Sequence, residues 1–352
     1  MESNAKPLFS DLYERVISSE SMCSGCGACV LICPKNRLVF RDFKPEQVSG
    51  ARNVCPENEN GRCGLCAMVC HRLHGEVLGC NGGEEVVGKY LARVAGRATD
   101  RALRERGQDS GFVSGILNWG VLSGTWAGFL GYTRDESWQI QPLVVTEGTE
   151  VIKTSGSKYT YTSLIDGFSQ LRRLGLSSKP FAVVGLPCHI AAIRRLKKLN
   201  SKYVKGLVLS IGLFCMKAFS YEGLIEEKLI EEMNVPIADV HKMDIRKGMF
   251  TVEMKSGDVR QLPVKELQRY GHVGCASCCD FSAESADISV GGLGIGGWTI
   301  ALIRTEAGQK VVDAATSEGV IETRNAEDFS KALQVLEKLA FRKREQAVVN
   351  KA

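Results

Sequence analysis

The stretch CSGCGACVLICP at residues 23–34 places four cysteines in the order C-x2-C-x2-C-x3-C-P. Three closely spaced thiolates can wrap three corners of one cubane iron–sulfur cluster, and the fourth then points away toward a second cluster. Zinc ribbons use paired C-x2-C knuckles instead, so this spacing argues against zinc. The stretch therefore predicts a region organised around two 4Fe-4S clusters, with ligands at Cys23, Cys26, Cys29 and Cys33.

A second run of cysteines completes this pattern with one irregularity. CGLCAMVC at residues 63–70 matches the last three positions of a bacterial ferredoxin run, but Asn60 stands where the first cysteine is expected. We expect Cys70 to join the first cluster, since the last cysteine of each run reaches the other cluster. Cys55 is the expected replacement ligand, and a three-iron cluster or a substitution by Cys80 are the alternatives. The predicted sets are Cys23, Cys26, Cys29 and Cys70 for one cluster and Cys33, Cys55, Cys63 and Cys66 for the other.

The composition is that of an ordinary folded protein apart from its cysteines. The chain has 352 residues, a hydrophobic fraction of 44%, a charged fraction of 24% and a formal net charge of +5. This charge is too mild for a nucleic-acid binder, which would carry basic blocks interleaved with aromatics. Fourteen cysteines in so long a chain indicate metal binding rather than a secreted disulfide scaffold. The polar, acidic N-terminus does not have the pattern of a secretory signal.

An uncharged stretch from Gly111 to Thr133 must be weighed as a membrane span, because a span needs roughly 20 apolar residues. The stretch contains six glycines and Asn118. We predict instead a buried helix over residues 112–119, a glycine turn, and a strand through residues 126–130. The chain is therefore expected to have no span of its own.

The remainder of the chain alternates apolar strands with helices. Residues 181–186 and 206–214 are buried-strand runs, and a helix is expected between them at residues 190–196. Such alternation is typical of an α/β domain with some parallel pairing. Further strands are predicted at 287–290 and 298–304, with a helix around 224–230 and an amphipathic C-terminal helix within 326–349.

Four further cysteines lie near predicted strands. Cys188 follows the strand at 181–186, Cys215 follows the strand at 206–214, and GCASCC at residues 274–279 precedes another strand. Ligand sites of α/β sheets gather at the carboxyl ends of strands, so these thiols can converge. Free cysteines are as often small buried hydrophobic residues, and spacing alone leaves the two interpretations even.

Four long blocks make this part of the chain recognisable. They are GKYLARVAGRATD (88–100), GLPCHIAAIR (185–194), IGLFCMKAFSYEGL (211–224) and GCASCCDFSAESADISVGGLG (274–294). From about Gly88 to its end, the chain resembles the β-subunit family of coenzyme F420 hydrogenases and dehydrogenases. The resemblance implies a third 4Fe-4S cluster. Cys279 has no assigned role in the family, but it is adjacent to Cys278 and is an alternative to it as a ligand. The implied ligands are Cys188, Cys215, Cys275 and Cys278.

The same resemblance implies FAD between this cluster and the F420 site. Two blocks match family segments associated with the flavin, where a small-residue turn at a helix N-terminus can cradle a pyrophosphate. The loop at 292–297 has the form of a dinucleotide fingerprint, but a strand follows it, so we expect close approach of a ligand rather than a Rossmann site. The implied cofactor-binding residues are Gln108, Asp109, Ser110, Gly111, Ser114, Thr154, Ser157, Lys158, Tyr159, Thr160, Gly292 and Gly294. Possible partners of the phosphodiester and glutamate tail of F420 are Arg101, Arg104, Arg106, Arg194 and Arg195.

Together these features predict an α+β chain with two domains. A bacterial ferredoxin-like two-cluster domain is expected at residues 1–80, and after a linker at 79–85 an α/β domain that binds FAD, F420 and the third cluster is expected at 85–352. The fusion resembles the input component of membrane-bound F420 dehydrogenases linked to a quinone or methanophenazine. The resemblance implies oxidation of reduced F420 by hydride transfer to FAD, with single electrons passed through 4Fe-4S clusters to a partner complex.

Two alternatives to this function stay open. One is an F420-reducing subunit of a formate dehydrogenase or hydrogenase, and the other is an electron-carrier module without F420 chemistry. No catalytic residue is assigned, and no nucleic-acid partner is expected. The expected location is the cytoplasm, peripheral to the inner face of the cell membrane through partner subunits.

Overall fold

The computed structural model describes residues 6–48, 63–74 and 85–349. Cys55, Cys80 and residues 79–84 of the predicted linker lie outside these ranges. The predictions that concern them are therefore not addressed by the structure.

Each N-terminal cysteine run leads into a short helix that ends at a cysteine. The elements of this region are α1 Phe9–Leu12, a π-helical turn Tyr13–Ile17, α2 Ala28–Ile32, β1 Leu38–Arg41, β2 Lys44–Gln47 and α3 Leu65–Val69. The extended backbone of Cys33 ends α2, and that of Cys70 ends α3. Gly27 caps the start of α2 with a φ of 77°, a left-handed conformation that favours glycine. Each of the two helices therefore ends at the last cysteine of its run.

Within the rest of the described chain, the main element is an eight-stranded mixed sheet in the order β13-β3-β12-β11-β7-β6-β4-β5. The strands beyond the N-terminal region are β3 Ala92–Ala98, β4 Phe129–Arg134, β5 Ile140–Val145, β6 Phe181–Gly185, β7 Leu207–Leu213, β8 Val240–Arg246, β9 Met249–Met254, β10 Val259–Pro263, β11 Ile288–Gly291, β12 Thr299–Ile303 and β13 Ile321–Asn325. The neighbours β11, β7, β6 and β4 are parallel, and the outer strands pair antiparallel. The predicted partial parallel pairing is confirmed.

Helices cover both faces of this sheet. They are α4 Arg101–Arg106, α5 Phe112–Leu122, α6 Ile165–Arg173, α7 Pro187–Lys198, α8 Glu306–Ser317 and α9 Ser330–Val349, with 3-10 turns at Gly148–Thr154, Ile237–Asp239, Val264–Tyr270, Val273–Cys275 and Ala326–Phe329. Alternate residues of β6 point to opposite faces. Phe181 and Val183 join the core beneath α6 and α7, whereas Ala182 joins the core beneath α5 and α8. A strand buried on both faces explains why its sequence is a continuous apolar run.

A smaller antiparallel sheet in the order β10-β9-β8 packs on a π-helical segment, Glu222–Glu232. Phe250, Val252 and Met254 of β9 alternate into a separate core that includes Leu229. The helix predicted around residues 224–230 is this π-helical segment. The sheet itself was missed by the sequence analysis.

The uncharged stretch from Gly111 to Thr133 folds as helix, turn and strand, as predicted. The helix continues to Leu122, and the strand begins at Phe129 rather than at Trp126. Trp126 instead packs edge-to-face on Trp119, with 5.8 Å between ring centroids. Among the helices in the three described ranges, none has the length and apolar character needed to cross a membrane.

The N-terminal region shares a core with the main sheet's helices. Ala28 and Leu31 of α2 and Val69 of α3 belong to the same buried cluster as Ile190 of α7. Arg195, also on α7, is buried and donates a hydrogen bond from Nε to the carbonyl of Met68 over 2.9 Å. The two predicted parts are therefore packed together rather than merely tethered.

Candidate functional site

The structure brings Cys23, Cys26, Cys29 and Cys70 together beside α2 and α3. Burial raises the pKa of the Cys29 thiol well above its ordinary value, and the nearby Cys26, Cys70 and Cys23 sulfurs raise it further. Each of the four cysteines is free. Their grouping is the one proposed for the first N-terminal cluster.

A second group of thiols lines a small cavity at the other side of these helices. Cys33, Cys63 and Cys66 face this cavity together with the apolar side chains of Phe9 and Leu38. The backbone N–H of Arg37 donates a hydrogen bond to Cys33 Sγ over 3.3 Å. These are three of the four ligands proposed for the second cluster, and the fourth, Cys55, lies outside the described residues.

A third group is formed by Cys188, Cys215, Cys275 and Cys278. Cys188 lies in the first turn of α7, directly after β6, and Cys215 follows the adjacent strand β7. Burial raises the pKa of Cys188 well above its ordinary value, and Cys278, Cys215 and Cys275 add to this increase. The four thiols therefore converge at the carboxyl ends of two parallel strands, as ligand sites of such sheets do.

Two buried cations adjoin this third group. Lys343 of α9 donates a hydrogen bond from Nζ to the carbonyl of Cys215, and Arg72 approaches from the N-terminal region. Although burial acts to raise the pKa of Cys278, Lys343 and Arg72 lower it below its ordinary value. Cys279 is buried and disulfide-bonded, so its thiol does not compete with Cys278. The surroundings favour a negatively charged group at the four thiols.

Buried hydrogen-bond donors next to the thiols fit this interpretation. Arg72 Nε, the Tyr132 hydroxyl and His71 Nδ1 have no hydrogen-bond partner among the described residues. In the same residues, no three His, Cys, Asp or Glu side chains close on a single metal ion. Cubane clusters spread their thiolates around a larger cage, and their sulfurs accept hydrogen bonds from such donors. The thiol groups therefore fit 4Fe-4S clusters.

A cleft opens between the main sheet and the smaller sheet. Its walls carry five cationic side chains against the single carboxylate of Glu105. The lining residues are Glu105, Arg106, Gln108, Thr133, Arg134, Trp138, Ile152, Lys153, Ser155, Gly156, Ser157, Lys158, His241, Lys242 and Met243. Such a balance of charge attracts an anionic ligand.

Lys158 and Gln108 organise one wall of this cleft. Lys158 Nζ donates to the carbonyls of Thr154, Ser155 and Gly156 over 2.7, 3.1 and 3.0 Å. Burial, together with the charge of Arg134, lowers the pKa of Lys158 from 10.5 to about 7. The backbone N–H of Ser157 donates to Gln108 Oε1 over 3.0 Å. The two segments implied for the flavin are thus bonded to each other at the cleft.

Asp109 and Gly292 meet at a short distance from the cleft. A Cβ on Gly292 would overlap the carboxylate of Asp109, so the glycine is required for this approach. Burial raises the pKa of Asp109, the neighbouring Asp244 adds to that effect, and Arg246, 3.4 Å away, opposes it. The loop from Gly292 leads into β12, a strand, which agrees with the rejection of a Rossmann fingerprint.

The other residues implied for cofactor binding have partners within the protein. Ser110 Oγ lies 2.7 Å from Thr299 Oγ1, and Ser114 Oγ lies 2.9 Å from Ser155 Oγ. Tyr159 packs edge-to-face on Phe250. These contacts place the side chains in the supporting layer of the cleft. The remaining implied residues are Gly111, which caps α5, Thr154, which bonds Val151, Thr160, which bridges to Phe219, and Gly294, which has a positive φ.

The cleft is connected to the third thiol group by one short segment. Residues 155–158 line the cleft, and three residues later the Tyr161 hydroxyl lies 3.7 Å from Cys188 Sγ. The Tyr161 ring stacks on His272 at 4.1 Å, and His272 Nε2 lies 3.1 Å from the carbonyl of Ser24 in the first cysteine run. The cleft, the third thiol group and the first thiol group are therefore linked by a continuous chain of contacts through Tyr161 and His272.

Comparison with known proteins identifies this arrangement. The family profile for the coenzyme F420 hydrogenase/dehydrogenase beta subunit matches residues 93–167 with its N-terminal part and residues 178–329 with its C-terminal part. A component of the F420H2 dehydrogenase of Methanosarcina mazei is 31% identical over 93% of this chain and 91% of its own length. The chain belongs to the coenzyme F420 hydrogenase/dehydrogenase beta-subunit family. The resemblance noted in its sequence blocks is confirmed.

Other members of this beta-subunit family cover less of the chain. The coenzyme F420 hydrogenase subunit beta of Methanococcus voltae is 34% identical over 73% of this chain and 92% of its own length. A chain in the F420-reducing NiFe hydrogenase complex of Methanosarcina barkeri is 30% identical, with a TM-score of 0.70 over 75% of this chain and 92% of its own length. A 4Fe-4S binding domain matches residues 16–36, which contain the first cysteine run. The expected class, an F420-dependent oxidoreductase subunit with iron–sulfur binding, is confirmed.

The arginines considered for F420 are dispersed in this beta-subunit-family chain. Arg106 lines the cleft, whereas Arg101 pairs with Glu105 at the surface. Arg195 is engaged with the N-terminal region, and Arg194 is exposed. Arg104 lies 3.4 Å from the carbonyl of Ala98. Arg106 is the member of this set that faces the cleft.

Several cleft and cluster residues were missed by the sequence analysis. Arg134 lies over the ring of Trp138 at 3.6 Å, a cation–π contact at the cleft wall. Lys242 comes from the unpredicted strand β8 and donates to the carbonyl of Gln108 over 2.8 Å. Arg72 and Lys343 have no local motif around them. The alternating pattern of β9 was the one signal that could have indicated the smaller sheet.

Proposed function

We propose that this chain oxidises reduced coenzyme F420 with FAD held in the cationic cleft and passes the electrons singly through three 4Fe-4S clusters. The observation that carries the proposal is the short connection from the cleft segment through Tyr161 to Cys188 of the third thiol group. When bound, FAD accepts a two-electron hydride from F420 and releases electrons one at a time to clusters. The thiol groups described above would then form the outward route.

The cleft residues supply binding and orientation. Arg106, Arg134 and Lys242 would attract the phosphates of FAD or the anionic tail of F420. Lys158 holds the 154–156 loop through its three carbonyl contacts and keeps positive charge at the wall when protonated. Trp138 is buried beneath Arg134, so its ring supports the guanidinium at the cleft wall.

Partner subunits would receive the electrons. The match to the dehydrogenase component of Methanosarcina mazei covers 93% of this chain and so extends into its N-terminal region, which supports a role as a subunit of an F420H2 dehydrogenase. We propose that this complex is membrane-bound and that the chain is its input component. We propose residues 1–80 as the two-cluster domain and residues 85–352 as the domain for FAD, F420 and the third cluster. The location proposed is cytoplasmic and peripheral, through those partner subunits.

The test is anaerobic purification followed by iron, sulfide and flavin analysis. We expect about twelve iron atoms and one FAD per chain, since each cubane holds four irons. Reduced F420 should be oxidised when an artificial acceptor is added, measured by the return of F420 absorbance. Zinc in place of iron would contradict the proposal.

Two outcomes separate the alternatives. Full cluster content without flavin or F420 oxidation would indicate an electron-carrier module. Copurification with subunits of a formate dehydrogenase or a hydrogenase, rather than with a membrane complex, would assign the chain to that enzyme.

A further inference from the structure

Arg72 occupies the boundary between the N-terminal region and the main sheet. It follows Cys70 by two residues, and its side chain is buried, with 7% exposure. A buried guanidinium is costly unless it is paired and hydrogen-bonded. The hydrogen-bond partners of Arg72 therefore indicate its role at this boundary.

The guanidinium reaches the loop that carries two cysteines of the third thiol group. Arg72 Nη1 donates to the Ser277 carbonyl and Nη2 donates to the Gly274 carbonyl, each over 2.8 Å. Ser277 Oγ in turn donates to the carbonyl of Ser21 over 2.5 Å. A Cβ on Gly274 would overlap the carbonyl of Cys23, so the two backbones touch here. Arg72 thus fixes the end of the second cysteine run to the loop of residues 274–278, and this loop in turn contacts the first run at Ser21 and Cys23.

Arg72 lies near sulfurs of both the third and the first thiol groups. Its Nε has no hydrogen-bond partner in residues 6–48, 63–74 and 85–349, although it is buried. Burial acts to lower the pKa of Arg72, but Cys278, Cys188 and Cys275 on one side and Cys70 on the other raise it. One fixed positive charge therefore lies between two sets of sulfurs that become anionic when they hold clusters.

We propose that Arg72 is a positioning residue shared by two clusters: its charge stabilises the reduced state of both, and its Nη contacts fix the gap between them. A cation near a cluster favours the added electron, because reduction makes the cluster more negative. Clusters held at the third and first thiol groups would exchange single electrons, and Arg72 would hold the two sites at a fixed separation with its charge near both. The inference needs the proposed clusters but not the proposed F420 chemistry.

Lys343 provides an internal comparison. It is also buried, with 3% exposure, and it lies among Cys278, Cys215 and Cys275 of the third group. The sulfurs that most raise the pKa of Lys343 all belong to this third group. Removing the charge of Lys343 should therefore affect one cluster, whereas removing that of Arg72 should affect two.

The experiment is an EPR-monitored redox titration of the anaerobically prepared full chain and its variants. In Arg72→Gln, we expect the ratio of reduced to oxidised cluster at a fixed potential to fall about tenfold for two centres, which corresponds to 59 mV for a one-electron couple. In Lys343→Gln, the same fall is expected for one of those two centres. Arg173→Gln removes an exposed charge at the end of α6 and should leave all potentials unchanged.

Two results would overturn the inference. One is unchanged potentials in an Arg72→Gln protein that retains its iron, and the other is a shift confined to the centre that Lys343→Gln also shifts. If Arg72→Gln does not assemble its clusters, Arg72→Lys and Arg72→Met are compared. Recovery of iron by lysine but not by methionine supports the role of charge, and equal loss in both refutes it. Potentials that shift as expected without any F420 oxidation would leave this inference standing and defeat the proposed function alone.

Discussion

Replacing Lys158 by methionine tests the cationic wall of the cleft directly. Methionine has a similar length and no charge, so the variant removes the ammonium that donates to the carbonyls of Thr154, Ser155 and Gly156. Because the pKa of Lys158 is lowered to about 7, its charge in the free protein is present below neutral pH and lost above it. The effect of the substitution should therefore depend on pH.

The expected magnitude follows from the interaction that is lost. A hydrogen bond to a charged group contributes about 1.5–3 kcal/mol, which corresponds to FAD binding that is roughly 10- to 150-fold weaker in Lys158→Met at pH 6. As the pH rises through about 7, the wild-type lysine loses its proton, and its affinity for an anionic ligand falls toward that of the variant. If FAD raises the pKa of Lys158 by one to two units when it binds, wild type and Lys158→Met should have equal FAD affinities by about pH 9.

The assay is an anaerobic titration with FAD, followed by flavin fluorescence at pH values between 6 and 9 and constant ionic strength. Lys153→Met is the matched control, because Lys153 lines the same cleft but has a side chain that is 57% exposed and is paired with Glu150. Exposed pairs contribute roughly 0–1 kcal/mol, so its effect should stay below about fivefold. Equal FAD affinities for wild type and Lys158→Met at pH 6, or a wild-type affinity that does not change with pH, would refute the reasoning.

Three further predictions concern the iron–sulfur clusters. Cys188→Ser should lower the iron content by about four atoms per chain and leave the N-terminal EPR signals in place; unchanged iron would show that Cys188 is not a ligand. Cys55→Ala should lose the second N-terminal cluster or convert it to a three-iron form, whereas an EPR spectrum identical to wild type would point to Cys80 or to a native three-iron centre. Gly274→Ala should displace Cys23 and reduce iron at the first cluster, since its Cβ would overlap the Cys23 carbonyl, while Gly296→Ala, with open space around its Cβ, should retain all iron.

The cysteine pattern was readable from the sequence because ligand spacing is a local property. The C-x2-C-x2-C-x3-C run spaces its thiols along one short loop and the one-turn helix α2, so their order is visible in the sequence. The strand at Phe181–Gly185 was equally readable, since a strand buried on both faces must be apolar at every position. The family blocks then implied which distant cysteines meet.

The charged residues of the site were decided by tertiary structure alone. Arg72 donates to Ser277, 205 residues later, and Lys343 donates to Cys215, 128 residues earlier. The cleft depends on Lys242 of the smaller sheet meeting Gln108 of the main one. A lysine or arginine in a sequence is ordinarily a solvated surface charge, and only packing that removes its water gives it a role. The sequence by itself therefore determined the cysteine spacing and the family, whereas the tertiary structure decided which cations face the thiols and the cleft, because burial and long-range contact are not encoded in local spacing.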